Sequence, residues 1–216
     1  MEPDPWPLHH LELRTPRQTL RPDDDDGLRE LAALAARGIH PPEEMPFAVP
    51  WTDQEPGDLV RGTMQHHWAQ RAALAPGRWS IHFLVRHAGT VIGTQSLSAE
   101  NFAVTREVSS GSWLGRAHQR QGHGTQIRAA VLLFAFDHLG AATATSGAFT
   151  DNPASAAVSE ALGYRRDGSI TRTRRGHRAT EVRFRLDAGR FVRPEWPLHV
   201  SGFDAECRAV LGVAGT

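Results

Sequence analysis

The sequence contains no lysine: all 24 basic residues are arginines, and 24 acidic residues balance them, leaving no net charge. Without an overall positive field, nucleic acid is a poor partner class, and the arginine-only usage says nothing about a ligand. There is one cysteine, Cys207, which excludes an internal disulfide and stands far from any metal-ligand spacing, so it reads as a small apolar filler and no metal is expected. Long hydrophobic runs are also missing. The longest, Ala129 to Phe136, falls well short of the roughly 20 residues of a membrane span, and Met1 to Leu8 lacks a basic segment leading into an apolar one. The expectation is a cytoplasmic protein with no membrane partner.

What is present is ordinary globular composition over 216 residues, enough for one sizeable core with a short extension. Charge is unevenly placed: residues 1 to 60 hold 13 acidic and 5 basic side chains, while 161 to 193 hold 10 basic and 3 acidic. Leu11 to Arg21 alternates apolar and polar residues around a Thr15-Pro16 break, as a short irregular strand does. Asp23 to Asp26 crowd the start of a helix carrying Leu28, Leu31 and Leu34, where negative charge is favoured, and the helix ends near Gly38.

The stretch Ile39 to Gly57, rich in proline but carrying Met45, Phe47 and Trp51, reads as an ordered loop, followed by a helix over 58 to 75. Alternating runs at Trp79 to Arg86 and Thr90 to Leu97 around His87-Ala88-Gly89 predict a hairpin, and Val104 to Leu114 a further strand. A buried helix over Gly122 to Gly140 places Ile127, Val131, Phe134 and His138 on one face. Next come a buried strand over Ala141 to Phe149 and a helix from Asp151 to Leu162, with Asn152 as N-cap and Pro153 at the first helical position. Two strands, near 164 to 173 and 178 to 186, flank the turn Arg175-Gly176-His177, and the last 30 residues suggest only an appended strand or short helix. This order describes an α/β (α+β) sandwich with helices on both faces of one sheet.

One loop carries chemistry. Gly122 and Gly124, just before the long helix, let backbone N–H groups face an anion without a Cβ in the way, with the helix dipole adding attraction. The loop is neither a Walker loop nor a dinucleotide fingerprint, and two glycines alone describe a tight strand-helix turn equally well.

The surrounding residues are more specific. Gln119-Arg120-Gln121-Gly122-His123-Gly124 resembles the Gln/Arg-x-x-Gly-x-Gly/Ala signature of the GCN5-related N-acetyltransferase (GNAT) superfamily, and Asn152 to Tyr164 resembles its second motif, Asn-x-x-Ser-x-x-Val-x-x-x-Leu-Gly-Phe/Tyr. Leu13 to Arg17 and the strand end Ser112-Trp113-Leu114-Gly115 are similar to the branch that acetylates the N-termini of ribosomal proteins. The resemblance spans roughly residues 11 to 186, so residues 1–187 are expected to form the acyltransferase domain and 188–216 a C-terminal extension.

That resemblance implies a mixed, mostly antiparallel sheet splayed between its fourth and fifth strands, with acyl-CoA as co-substrate in the gap. It places the pyrophosphate on the N–H groups of Gln119, Arg120, Gln121, Gly122, His123, Gly124 and Thr125. Trp113, Leu114, Asn152 and Ser155 would line the pantetheine, and Leu114 N–H would receive the oxyanion. The tyrosine that many relatives use to protonate the thiolate corresponds to Ser159, so Ser155 is the substitute; Tyr164 fills a position usually aromatic for packing. The glutamate common in the branch corresponds to Ser109, which leaves Glu107, on the same strand face, as the candidate base. His118 and His123 read as solvated or phosphate-facing.

Phe47, Trp51 and Trp68, with neighbouring His66 and His67, are candidates for the amine pocket. The implied reaction transfers an acyl group to a primary amine on a protein N-terminus, a lysine or a small molecule. Acetyl is the default donor and succinyl the runner-up, and a homodimer is left open. A catalytically idle acyl-CoA-binding module is the alternative reading.

Overall fold

The computed structural model describes residues 4–213. The N-terminal alternation resolves into two antiparallel strands, β1 (Glu12–Arg14) and β2 (Thr19–Pro22), where one irregular strand was expected. The chain reverses between them because the Thr15 N–H and hydroxyl both donate to the Gln18 carbonyl, leaving Pro16, which cannot donate, inside the turn. In α1 (Asp25–Ala36) the Asp24 carboxylate caps the Gly27 N–H at 2.7 Å, and Asp25 and Asp26 occupy the first turn, as the acidic run predicts. Asp23 is the exception: it is buried and turned away from the helix start.

The proline-rich segment is indeed ordered, with Ile39 and Met45 buried. It leads into α2 (Pro56–Ala72), then the hairpin of β3 (Arg78–His87) and β4 (Thr90–Glu100). The strand expected from Val104 begins only at β5 (Glu107–Leu114). Asn101 and Arg106 both take left-handed backbone angles, φ +49°, and bracket a single turn of helix, α3 (Phe102–Thr105).

Next comes α4 (His123–Leu133), continued by a wide turn over Phe134–Leu139 that Gly140 ends at φ +72°. The chain closes through β6 (Thr143–Phe149), α5 (Pro153–Ala161), β7 (Arg165–Arg174), β8 (His177–Asp187), β9 (His199–Ser201) and α6 (Ala205–Val210).

The strands form one nine-stranded sheet in the order β7-β8-β6-β5-β4-β3-β2-β1-β9, antiparallel except for β5 beside β6. Helices cover both faces. Leu28 and Leu31 of α1 pack on Leu84 and Val91, whereas Ile127 and Val131 of α4 join the core containing Phe83, Val85 and Ile92. Adjacent strand residues point to opposite faces, so α1 and α2 lie on one side and α4 and α5 on the other.

The tail continues the same body. β9 pairs with β1 at the sheet edge, and Cys207, Leu211 and Val213 are buried in the main core. Cys207 is the filler expected: burial pushes its thiol up to about 11, and it donates to the Gly202 carbonyl. No helix among the described residues is long and apolar enough to cross a membrane, and no metal-capable cluster of His, Cys, Asp or Glu occurs among them.

Candidate active site

The sheet opens at one place. β5 and β6 pair only at Glu107 with Thr143, Val108 with Ala144 and Ser109 with Thr145, after which the two strands diverge. These are the fourth and fifth strands of the expectation, renumbered because the first strand is two. Beyond Ser109 the gap-facing edge of β5 has no strand partner. The Gly115 N–H donates to Ile92 and the Gly111 carbonyl accepts from Gln95 and Ser96, so the backbone of 111, 113 and 115 faces β4. By alternation, Ser112 and Leu114 turn their N–H groups into the gap.

The loop 119–125 sits at the open end of this gap and spends its side chains on bracing itself. Gln119 Nε2 donates to the carbonyls of Ile39 and Leu114, Gln121 Nε2 to Ala117, and Arg17 Nη1 holds the Gln121 carbonyl at 3.0 Å. His123 is buried, its ring held by Gln18 and Arg17, so its side chain faces the β1–β2 turn where a solvated ring was one expectation. Burial first, then Arg17, lowers its pKa.

Braced in this way, the loop presents the N–H groups of Gln121 through Thr125 with no acceptor among the described residues, at the N-terminus of α4. Arg120 and Gly122 take φ +57° and +78°, which turns the loop onto the helix. A Cβ on Gly124 would stand 3.9 Å from Val158 Cγ2 and 4.0 Å from Leu114 Cδ1, in ordinary contact, so Gly124 looks across the gap from α4 toward α5 and β5.

On the other wall, Asn152 Oδ1 caps the Ser155 N–H at 3.1 Å, leaving its amide nitrogen without a partner among the described residues. The Ser155 hydroxyl is half-buried and equally unpartnered there, whereas Ser159 is fully buried and donates to the Ser155 carbonyl. Glu107 is not brought to this place. It lies at the paired end of the strands, about 20 Å along β5 from Trp113, where Arg185 Nη1 (2.8 Å) and Thr143 hold its carboxylate. Ser109 lines the same separate concavity.

On the opposite face lies a cavity of about 320 Å³ between α2 and the strands β3 to β5, reaching Gly111, Ser112 and Trp113 at the gap. Trp51 lines it, its ring tilted between those of Phe47 (centroids 5.2 Å apart) and Trp113 (5.8 Å). Trp68 does not. It is 43% exposed, donates to Asp25, and borders a shallow hollow with Trp6 and Arg71, because it points off α2 away from the sheet.

Its neighbours His66 and His67 line the cavity with His82 of β3, their rings 4.8 to 5.6 Å apart. His67 Nδ1 lies 2.5 Å from Asp23 Oδ2, with Arg71 Nε 3.5 Å from the other carboxylate oxygen. Burial, then the neighbouring histidines, lowers His82 to about 3, and His66 is lowered for the same reasons in the same order. An imidazole oriented by a buried carboxylate and facing a cavity is suited to taking a proton. Sequence reading missed this pair; its one visible signal was an acidic run one residue longer than a helix start uses.

The sequence model of a family described as acetyltransferase (GNAT) domain matches residues 17–165. Among solved structures, Mycobacterium smegmatis RimJ in complex with CoA-disulfide is similar at 20% identity and TM-score 0.69, over 85% of this chain and 89% of that one. RimL, a ribosomal L7/L12 α-N-protein acetyltransferase in complex with coenzyme A, is similar at 15% identity and TM-score 0.64, over 80% and 95%. A chimera of Vibrio cholerae spermidine N-acetyltransferase SpeG and hSSAT gives 18% and 0.61, over 80% and 96%. At such identities the likeness speaks for the fold.

Proposed function

The chain belongs to the acetyltransferase (GNAT) family and is an acyl-CoA-dependent N-acyltransferase, and from that premise we propose that acyl transfer takes place by direct attack where the gap between β5 and β6 meets the α2-side cavity. The observation that carries this reading is the loss of pairing beyond Ser109, beside N–H groups that have no acceptor among the described residues.

The N–H groups of Gln121 through Thr125 suit the pyrophosphate, with Arg120, which has no partner among the described residues, adding charge. The pantetheine chain lies along the free edge of β5, with the unused amide nitrogen of Asn152 to bond it. Leu114 N–H receives the thioester oxygen as it becomes an oxyanion.

The acceptor is a primary amine entering from the α2 side past Trp51. Its nitrogen attacks the thioester carbon, a C–N bond forms and the C–S bond breaks, with the electron pair leaving on sulfur. His67, oriented by Asp23, takes the proton from nitrogen, in place of the Glu107 suggested by sequence. Ser155 hands its hydroxyl proton to the departing thiolate while taking one from solvent, and His67 later returns the amine proton to solvent. Acetyl-CoA is the donor the family implies, and a cavity of about 320 Å³ favours a compact amine, a chain end or a small molecule.

The test is release of free CoA thiol from acetyl-CoA against a panel of polyamines, N-terminal peptides and lysine peptides, with the amide product identified by mass. Thiol release and amide in equal amounts support the proposal. Amide formation through a covalent acyl-protein intermediate, trapped in the absence of amine, contradicts direct attack.

A further inference from the structure

Inside the gap, where the acyl group would point, some buried polar atoms have no partner among the described residues. Arg128 leaves α4 toward the sheet and is 3% exposed. Its Nη1 donates to Ser146 Oγ on β6 at 2.9 Å and its Nη2 reaches Ser112 Oγ on β5 at 3.5 Å, so the guanidinium bridges the strands just past the end of their pairing. No carboxylate accepts from it among the described residues. Among all the described residues six buried side-chain polar atoms lack any partner, and three of the six gather at this point: Arg128 Nε, Ser110 Oγ and the Tyr164 hydroxyl. Tyr164 lies beside both Arg128 and Ser110 without a well-formed bond to either.

An arginine stays charged even where burial opposes it, as it does here, and an uncompensated buried charge is strongly destabilising. An apolar side chain would fill the same layer without that cost. The residues around Arg128 offer only neutral hydroxyls, which leaves its charge for an anion that comes with a ligand.

We propose that Arg128, with Ser112 and Ser146, binds the terminal carboxylate of an acyl group derived from a dicarboxylic acid, succinyl being the chain of fitting length. The inference rests on the reading that the thioester lies in this gap. From Leu114 N–H, which holds the thioester oxygen, to the level of Ser112 is about 7 Å along the strand. Two methylenes and a carboxylate, plus a hydrogen bond, span about that distance, whereas an acetyl methyl falls short. Arginine is the side chain suited to gripping such a group through two parallel hydrogen bonds.

The experiment compares binding of succinyl-CoA, butyryl-CoA and free CoA to the full chain and to Arg128→Met by titration calorimetry. Butyryl-CoA has the same length without the charge. The wild-type chain is expected to bind succinyl-CoA at least about tenfold more tightly than butyryl-CoA, and Arg128→Met to erase that difference while keeping its affinity for free CoA. Equal affinities in the wild type, with free CoA bound, overturn the carboxylate site and leave the gap reading standing. No binding of any of the three refutes the gap, and the inference with it. Should Arg128→Met fail to fold, the wild-type comparison alone decides.

Discussion

His67 and Asp23 face each other at 2.5 Å, both 3% exposed, across a separation of 44 residues in the chain. A histidine so held has its second ring nitrogen left for the cavity, and the buried carboxylate fixes the orientation of its ring. Asp23→Asn keeps the volume but removes that charge. It is expected to lower kcat about 100-fold while leaving KM for acyl-CoA unchanged, since the pair lies on the acceptor side of the sheet. Steady-state kinetics check it; a folded variant with unchanged kcat would show that the pair only holds α2 to the start of α1.

His82 makes stability depend on pH. Burial keeps its ring neutral down to about 3, while in the unfolded chain it takes a proton near 6.5. The unfolded state therefore binds more protons in between, and the contribution of this group is complete above 6.5 and lost as pH falls. At pH 5 the loss reaches at most about 2 kcal/mol, or about 4–8 °C in melting temperature for a chain of this size. Melting curves at pH 7.5 and 5 compare the wild type with His82→Gln, which should lose less. An equal loss in both would place the acid sensitivity elsewhere.

The two tryptophans should separate cleanly. Trp51→Ala removes the central ring of the aromatic cluster with Phe47 and Trp113 and is expected to raise the acceptor KM about tenfold, the scale of losing an aromatic contact at a binding site. Trp68→Ala, on the outer side of α2, should leave both kinetic constants alone and change stability by less than about 1 kcal/mol. A kinetic defect in Trp68→Ala would mean the acceptor extends over the outside of α2.

What the sequence revealed and concealed follows from the range of the interactions. The loop 119–125 and the Asn152 cap were readable because each is a local device: glycines where left-handed or close backbone is needed, a cap three residues from the N–H it accepts. Trp68 and His67 are neighbours in sequence, but a helix turns about 100° between them, so only packing reveals which one faces the sheet. Asp23 looked like part of a helix start because its partner lies 44 residues away.

Arg128 stood in plain view as a charge among Ile127, Ala129, Ala130 and Val131, yet an amphipathic pattern does not say whether such a residue is at the edge of the buried face or in the middle of it. The start of β5 was misplaced by three residues because no glycine marks the left-handed angles at Asn101 and Arg106 that bracket the intervening turn of helix, and at Arg106 such an angle is unusual.

The central claim is that coenzyme A lies in the gap with its pyrophosphate on the loop, and Gly124 tests it most directly. A Cβ there meets nothing closer than 3.9 Å, so Gly124→Glu is compatible with the fold, while its carboxylate would stand beside the phosphates. The measurement is the rise in melting temperature on adding CoA at about 100 times its Kd, which corresponds to about 2.7 kcal/mol for a ligand that binds only the native state. The account predicts this rise in the wild type and its disappearance in Gly124→Glu. The same rise in both would contradict it, and would make the loop a turn and nothing more.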